Sequence, residues 1–138
     1  VIDRLAVSAA KKNVTAALSG SHIVYNGSRT VLSEVLYNLC DNAVKYNSEG
    51  GSYTVRVSHT PKRVFITVSD TGCGIPQQHI GRIFERFYRA DKSRSQKVKG
   101  TGLGLSIVKH GVMFHGGIVR CESHVGKGTV FTVELPIK

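Results

Sequence analysis

Glu34-Val35-Leu36-Tyr37-Asn38-Leu39-Cys40-Asp41-Asn42-Ala43-Val44-Lys45-Tyr46 is the stretch whose two faces decide the fold. On a wheel of about 100° per residue, Val35, Leu39, Leu32, Ala43 and Leu36 fall within roughly a 100° arc, the width of a core stripe. Glu34, Asn38, Asp41, Asn42 and Lys45 gather on nearly the opposite side. A solvated face is the ordinary explanation for such a side. Asparagine, however, is a mediocre helix former, and plain surfaces carry Glu and Lys at such sites. Two Asn at i and i+4, with a Glu before them and a Lys beyond, offer carboxamide oxygens and a carboxylate. Those groups suit a hard cation such as Mg²⁺, which takes few protein oxygens and fills its shell from water and phosphates. Tyr46 adds a flat ring that can lie against a base.

Outward from this segment, the helix is entered through Asn26-Gly27-Ser28 and left at Asn47-Ser48-Glu49-Gly50-Gly51. Upstream, Val14–Leu18 and His22–Tyr25 read as two short strands around Ser19-Gly20-Ser21, a hairpin-like signal. Val1–Lys12 reads as the continuation of something upstream, so residues 1–138 are expected to be one excised domain. Downstream, Tyr53–His59 and Val64–Ser69 alternate as strands joined by Thr60-Pro61-Lys62-Arg63. A short helix is expected near Pro76–Phe84, with Pro76 suited to a first turn. The polar, basic run Ala90–Gly100 has no apolar period and reads as a flexible lid spanning about residues 88–101. Helical spacing resumes over Leu103–Phe114, and Gly117–Ser123 with Gly128–Leu135 forms a hairpin around Gly126-Lys127. The order β-β-α-β-β-α-loop-α-β-β predicts an α+β fold. It is a two-layer α/β sandwich, with a mixed, mostly antiparallel sheet of about five strands covered on one face by about three helices. The alternation of a doubly wound nucleotide fold is missing.

Two glycine-rich segments stand at element boundaries. Val64–Ser69 runs into Asp70-Thr71-Gly72-Cys73-Gly74-Ile75-Pro76. A carboxylate at a strand end can accept a hydrogen bond from an exocyclic amine, and the glycines let backbone approach a ligand closely. A plain strand-to-helix turn explains this segment equally well when it is taken alone. Gly100-Thr101-Gly102-Leu103-Gly104-Leu105 opens the next helix, where free backbone N–H groups suit phosphate. It is neither a P-loop nor a dinucleotide fingerprint. Its weight comes from following a basic stretch, which together make a lid able to close over a polyphosphate.

Composition narrows the classes. At 138 residues with 41% apolar and 20% charged residues, the chain suits one ordinary globular domain. No apolar run approaches the roughly 20 residues of a membrane span. Cys40, Cys73 and Cys121 lie far apart, against a disulfide framework or zinc ribbon and in keeping with a reducing compartment. The six histidines show no metal-ligand spacing and are expected at surface or half-buried positions. Of the net charge of +10, half falls between Arg82 and Lys99, where seven basic residues face Glu85 and Asp91. Phe84, Phe87 and Tyr88 cluster at the front of that run instead of interleaving with its charges. The pattern favours a small phosphate-bearing ligand over nucleic acid.

Together these segments resemble the sensor histidine kinases, within the wider group of ATPases that includes Hsp90, MutL and gyrase. The resemblance covers about Asn13 to Pro136. Glu34–Tyr46 is similar to the family's N box, Asp70–Ile75 to its first glycine box, and Arg82–Arg89 to its F box. Gly100–Leu105 is similar to its second glycine box, and His115-Gly116-Gly117 through Leu135-Pro136 to its close. The resemblance implies a Bergerat-type fold that binds ATP with Mg²⁺ and transfers the γ-phosphate to a histidine. By it, Asp70 accepts the adenine amino hydrogen, with Ile75, Tyr46 and Thr129 lining the base and Gly72 and Gly74 shaping the loop. Asn38 holds Mg²⁺, and Asn42 and Lys45 lie near ribose and phosphates. Lys92 or Arg94 reaches the γ-phosphate from the lid, and Gly100, Thr101, Gly102, Leu103 and Gly104 lie at the phosphates. Glu34 polarises the incoming histidine, so Glu34 and Asn38 are the expected catalytic pair.

The phosphoacceptor H box has no counterpart in the chain; His59-Thr60-Pro61 is a short coincidence. The implied partners are therefore a histidine-bearing dimerisation domain and a response regulator, with no nucleic acid. The chain alone is expected to be monomeric, and its parent a homodimeric, membrane-anchored sensor whose cytoplasmic part this is. An ATP-driven clamp of the Hsp90 or MutL kind is the main alternative, but such clamps generally lack the Arg82–Arg89 box. A basic interaction module without ATP binding is the third reading, and Glu34, Asn38, Asp70 and the glycines speak against it.

Overall fold

The computed structural model describes residues 6–11, 13–86, 88 and 104–137. Its elements are α1 (Ala6–Lys11), β1 (Thr15–Gly20), α2 (Arg29–Lys45), β2 (Ser52–His59), β3 (Arg63–Asp70), α3 (Gln77–Ile80), α4 (Gly104–Phe114), β4 (Ile118–His124) and β5 (Gly128–Pro136). The five strands form one sheet in the order β1-β2-β3-β5-β4. All neighbours are antiparallel except β1 and β2, which run parallel. The mixed two-layer arrangement expected from the sequence is present.

The first hairpin is not. His22–Tyr25 forms no strand, and residues 21–26 carry no regular structure. Gly20, at φ +109, presses so closely on β2 that an added Cβ would stand 2.0 Å from the Val57 carbonyl oxygen. Ser21 N–H then gives one last bond to the same oxygen at 2.8 Å, and the chain leaves the sheet. It leaves because α2 is the crossover between β1 and β2, and parallel neighbours require such a crossover. The Ser-Gly-Ser sequence turns the chain out of the strand instead of back along it. The helix expected over Pro76–Phe84 is also shorter, a single turn at Gln77–Ile80 followed by turns. Ile83 is buried, and Phe84 meets Phe131 edge-on with centroids 6.1 Å apart. Ile83 and Phe84 thus anchor a turn against the core.

Helix α2 starts where Ser28 Oγ accepts from Val31 N–H at 3.3 Å, a side-chain N-cap. Val35, Leu39 and Ala43 are buried as the wheel requires, but burial extends to Cys40 and Val44, while Leu32 and Leu36 are only partly covered. The buried arc is wider than expected because α2 packs on the sheet and on α4 at once. Gly111 permits that second contact, since a Cβ there would lie 2.5 Å from Val35 Cγ2. Strand β5 sends Phe131, Val133 and Leu135 into the core by plain alternation. Each fully buried side chain of this size contributes about 1.5–3 kcal/mol.

His115 departs from the expectation for the histidines, being 7% exposed. Its Nε2 accepts from Ser28 N–H at 2.9 Å, and its Nδ1 donates to the Gly111 carbonyl at 2.8 Å. This histidine ties the start of α2 to the end of α4. A second buried polar group is less well provided for. Tyr53 is 1% exposed, and its hydroxyl has no hydrogen-bond partner among the described residues. Burial, with Cys40 adding to it, pushes the phenol up to about 12. An unsatisfied buried hydroxyl costs about 1–3 kcal/mol. Tyr53→Phe is therefore expected to raise the urea midpoint, by an amount worth about 1 kcal/mol. A lower midpoint would show that the hydroxyl has a partner when the protein is in water.

Candidate functional site

Asp70 ends β3, and its carboxylate is held by one oxygen. Oδ1 accepts from Gly72 N–H at 2.8 Å and from Thr129 N–H at 3.2 Å. The first bond is the local turn that Asp makes with the residue two ahead, and the second comes from the start of β5. Oδ2 accepts nothing among the described residues and remains available to a donor. Burial raises the Asp70 carboxyl above its ordinary range, and the two backbone bonds oppose that shift. A half-buried carboxylate with one committed oxygen can read a single N–H group.

The loop after Asp70 is clamped on both sides. Cys73 N–H donates to the carbonyl of Tyr46 at the end of α2, at 3.1 Å. Gly72 sits so close that a Cβ would meet that carbonyl oxygen at 2.5 Å. On the other side Gly74, at φ +78, lies against the His124 backbone, and Gly126 N–H bonds the Cys73 carbonyl at 2.8 Å. Ile75 N–H donates to Ser123 Oγ at 2.7 Å, and Ser123 Oγ meets Thr129 Oγ1 at 2.8 Å. Gln77 Nε2 adds a bond to the Ser123 carbonyl at 2.8 Å. The structure thus brings Tyr46, Asp70, Gly72, Gly74, Ile75 and Thr129 together, although they come from the C-cap of α2, the end of β3 with the loop after it, and the start of β5.

The polar face of α2 continues the site away from Asp70. Asn38 Nδ2 donates to the Glu34 carbonyl at 2.7 Å, which turns Oδ1 outward. Gly104, the first residue of α4, packs there, and a Cβ on it would stand 3.0 Å from Asn38 Oδ1. The first turn of α4 therefore faces Asn38, and the N–H groups of a first turn have no partner within the helix. Asn42 lies one turn further along α2. Lys45 Nζ pairs with Asp41, one turn earlier on the same helix, at 2.8 Å. Glu34 is exposed and borders an apolar groove of about 590 Å³ between α2 and α4, lined also by Val31, Arg86, Ile107, His110 and Phe114. Lys92, Arg94, Gly100, Thr101, Gly102 and Leu103, with most of the expected lid, lie outside the described residues.

Several supporting residues carried no sequence signal of their role. Ser123 is 2% exposed, and its hydroxyl joins the Asp70 loop to β5. Asn47 and Thr71 join the end of α2 to the same loop. Just before the lid, Arg82 pairs with Glu85 at 2.9 Å and stacks 4.5 Å over the Tyr88 ring, whose hydroxyl bonds His79.

Comparison with known proteins agrees with this geometry. The chain is 44% identical over 109 residues to the sensor histidine kinase WalK of Bacillus subtilis, covering 78% of this chain and 18% of that protein. Its fold is similar to a mycobacterial sensor histidine kinase, MprB, with a TM-score of 0.85 and 32% identity over 99% of this chain and 93% of that one. It is also similar to full-length ShkA in complex with AMPPNP, with a TM-score of 0.83 and 30% identity over 98% of this chain and 28% of that one. Among the described residues no helix is long and apolar enough to cross a membrane. Residues 27–138 match the family described as histidine kinase-, DNA gyrase B- and HSP90-like ATPases, and the chain belongs to that ATP-binding family.

Proposed function

We propose that the chain is the catalytic domain of a two-component sensor histidine kinase, transferring the γ-phosphoryl group of ATP to a histidine on a separate dimerisation domain. The observation that carries this reading is the placement of Glu34 and Asn38 one turn apart on α2, with Asn38 on the Gly104 side and Glu34 on the open groove. Asp70 Oδ2 accepts the adenine amino hydrogen beside Ile75, Tyr46 and Thr129, and Gly72 and Gly74 give the loop its shape. Asn42 and Lys45 lie along the ribose and phosphates. The first turn of α4 from Gly104, with Gly100–Leu103 and a lid cation, Lys92 or Arg94, meets the phosphate charge.

The donor set fits Mg²⁺. Asn38 spends its Nδ2 on the Glu34 carbonyl, so its oxygen, the atom a hard cation prefers, is the one presented. When bound, the metal would neutralise charge on the phosphates. Phosphoryl transfer depends chiefly on such positioning and neutralisation. An imidazole nitrogen entering along the groove attacks the γ-phosphorus with its lone pair, and the bond to the β–γ bridging oxygen breaks to release ADP. Glu34 accepts the other ring N–H, fixing the tautomer and stabilising the charge that the ring gains. The phosphorylated domain then serves a response regulator, and the parent is a homodimer whose cytoplasmic part includes this chain.

Mixing the 138-residue chain with its own histidine-bearing domain and labelled ATP tests the reading. Acid-labile, alkali-stable phosphate on the partner's histidine is expected. ATP hydrolysis with no phosphohistidine would overturn it in favour of an ATP-driven clamp.

A further inference from the structure

Thr71 stands between the two residues that make the Asp70 turn, and it is fixed on three sides. Its N–H donates to the Ser52 carbonyl at 3.1 Å. Its Oγ1 accepts from Ser52 N–H at 2.9 Å and lies 3.3 Å from Asn47 Oδ1. Ser52 O also accepts from Asn47 Nδ2 at 2.9 Å, so its two lone pairs are taken by that donor and by Thr71 N–H. Thr71 Oγ1 lies 3.3 Å from both Ser52 O and Asn47 Oδ1, and with Ser52 O already engaged by two N–H donors its hydroxyl hydrogen is directed to Asn47 Oδ1. Asn47 is buried just after Tyr46, and its Oδ1 also accepts from Ser48 N–H at 2.9 Å. Gly51 leaves room for this arrangement; a Cβ there would stand 2.1 Å from Asn47 Oδ1 and 2.9 Å from Thr71 Oγ1. The end of α2, the start of β2 and the Asp70 loop therefore meet in one hydrogen-bonded knot.

We propose that Thr71 and Asn47 are positioning residues that aim the Asp70 carboxylate and so set selectivity for a purine bearing a 6-amino group. The inference rests on the reading of Asp70 as the adenine acceptor. With Thr71 fixed, the Gly72 N–H is held on Oδ1, the carboxylate cannot rotate, and Oδ2 keeps one direction. Loosening the knot leaves the triphosphate contacts of α2 and α4 untouched and blurs only the contact to the base.

Calorimetry of the 138-residue chain with Mg²⁺ and either AMP-PNP or the triphosphate of purine riboside, which lacks the 6-amino group, separates these effects. Thr71 is exposed, so Thr71→Val removes the hydroxyl without opening the core. The variant is expected to bind AMP-PNP about tenfold more weakly, the worth of one hydrogen bond to a charged group, and to bind the purine riboside analogue as wild type does. Thr71→Ser, which restores the hydroxyl, is expected to restore the preference. Equal weakening toward both nucleotides, no weakening, or failure of serine to rescue would overturn the proposal. Asp70→Asn is the control: if it leaves AMP-PNP affinity unchanged, the base reading fails itself; if it weakens binding and Thr71→Val does not, the positioning role alone fails.

Discussion

Asp70→Asn is expected to lower ATP affinity by about 100-fold while leaving the nucleotide-free domain at least as stable as wild type. The affinity loss follows from what the amide presents. Asn can still accept from Gly72 and Thr129 through its oxygen, as Asp70 Oδ1 does at 2.8 and 3.2 Å. That commitment leaves the NH₂ where Oδ2 stood, so a donor faces the donor of the adenine amine. Losing a hydrogen bond to a charged group costs about 1.5–3 kcal/mol, and an opposed donor pair lies at the upper end. The stability half follows from the raised carboxyl of Asp70, whose chief cause is desolvation. A group whose folded pKa is raised contributes stability below its unfolded pKa and loses it as pH rises through the folded one. At neutral pH the ionised Asp70 therefore weakens the empty fold, and the neutral amide removes that burden. Titration calorimetry checks the first half, and unchanged affinity would remove Asp70 from the base site. Melting at pH 7 and near pH 4 checks the second, with the advantage of the variant shrinking in acid; a variant that melts lower at pH 7 contradicts it.

The parts of this arrangement that were legible in the sequence are those with a local cause. Helix α2 announced itself by period, cap and exit, and the structure places its ends within a residue of the expected ones. The alternation of β2, β3 and β5 was equally plain, because a strand with one face on helices must alternate. Asp70, Gly72 and Gly104 could be singled out from the bare chemistry of their types and their places at element boundaries. What could not be read depends on partners far away in the chain. The parallel pairing of β1 and β2 is a consequence of α2 crossing over the sheet, whereas Ser19-Gly20-Ser21 by itself looks like a hairpin turn. His115 is buried because Ser28, 87 residues earlier, supplies a donor to its second nitrogen. Thr71 looks like loop filler, and Ser123 like an ordinary strand residue, until Asn47 and Ile75 are placed beside them.

Gly128→Ala should be the most disruptive single methyl in the nucleotide site, costing about 3 kcal/mol or more of stability and at least about tenfold in ATP affinity. Gly128 opens β5 at φ +124, a conformation that side chains rarely adopt, and an added Cβ would stand 2.0 Å from the Asp70 carbonyl oxygen and 3.1 Å from Thr71 Cα. Both obstacles are backbone, so no rotamer change relieves them; the start of β5 must move away from the end of β3. That movement withdraws Thr129 N–H from Asp70 Oδ1 and disturbs the 3.0 Å bond from Ser123 Oγ to the Gly128 carbonyl. The same displacement thus weakens the sheet and misdirects the Asp70 carboxylate, the proposed reader of the base. Gly126→Ala supplies the comparison, because Gly126 also has positive φ, +82, yet a Cβ there meets nothing within 4 Å. It should cost only the conformational strain, about 1 kcal/mol, and leave ATP affinity unchanged. Urea unfolding of the two variants, read beside their nucleotide affinities, isolates the effect of the close approach from that of backbone strain. If both alanines cost the same, the contact between Gly128 and Asp70 is not what holds β5 to the site.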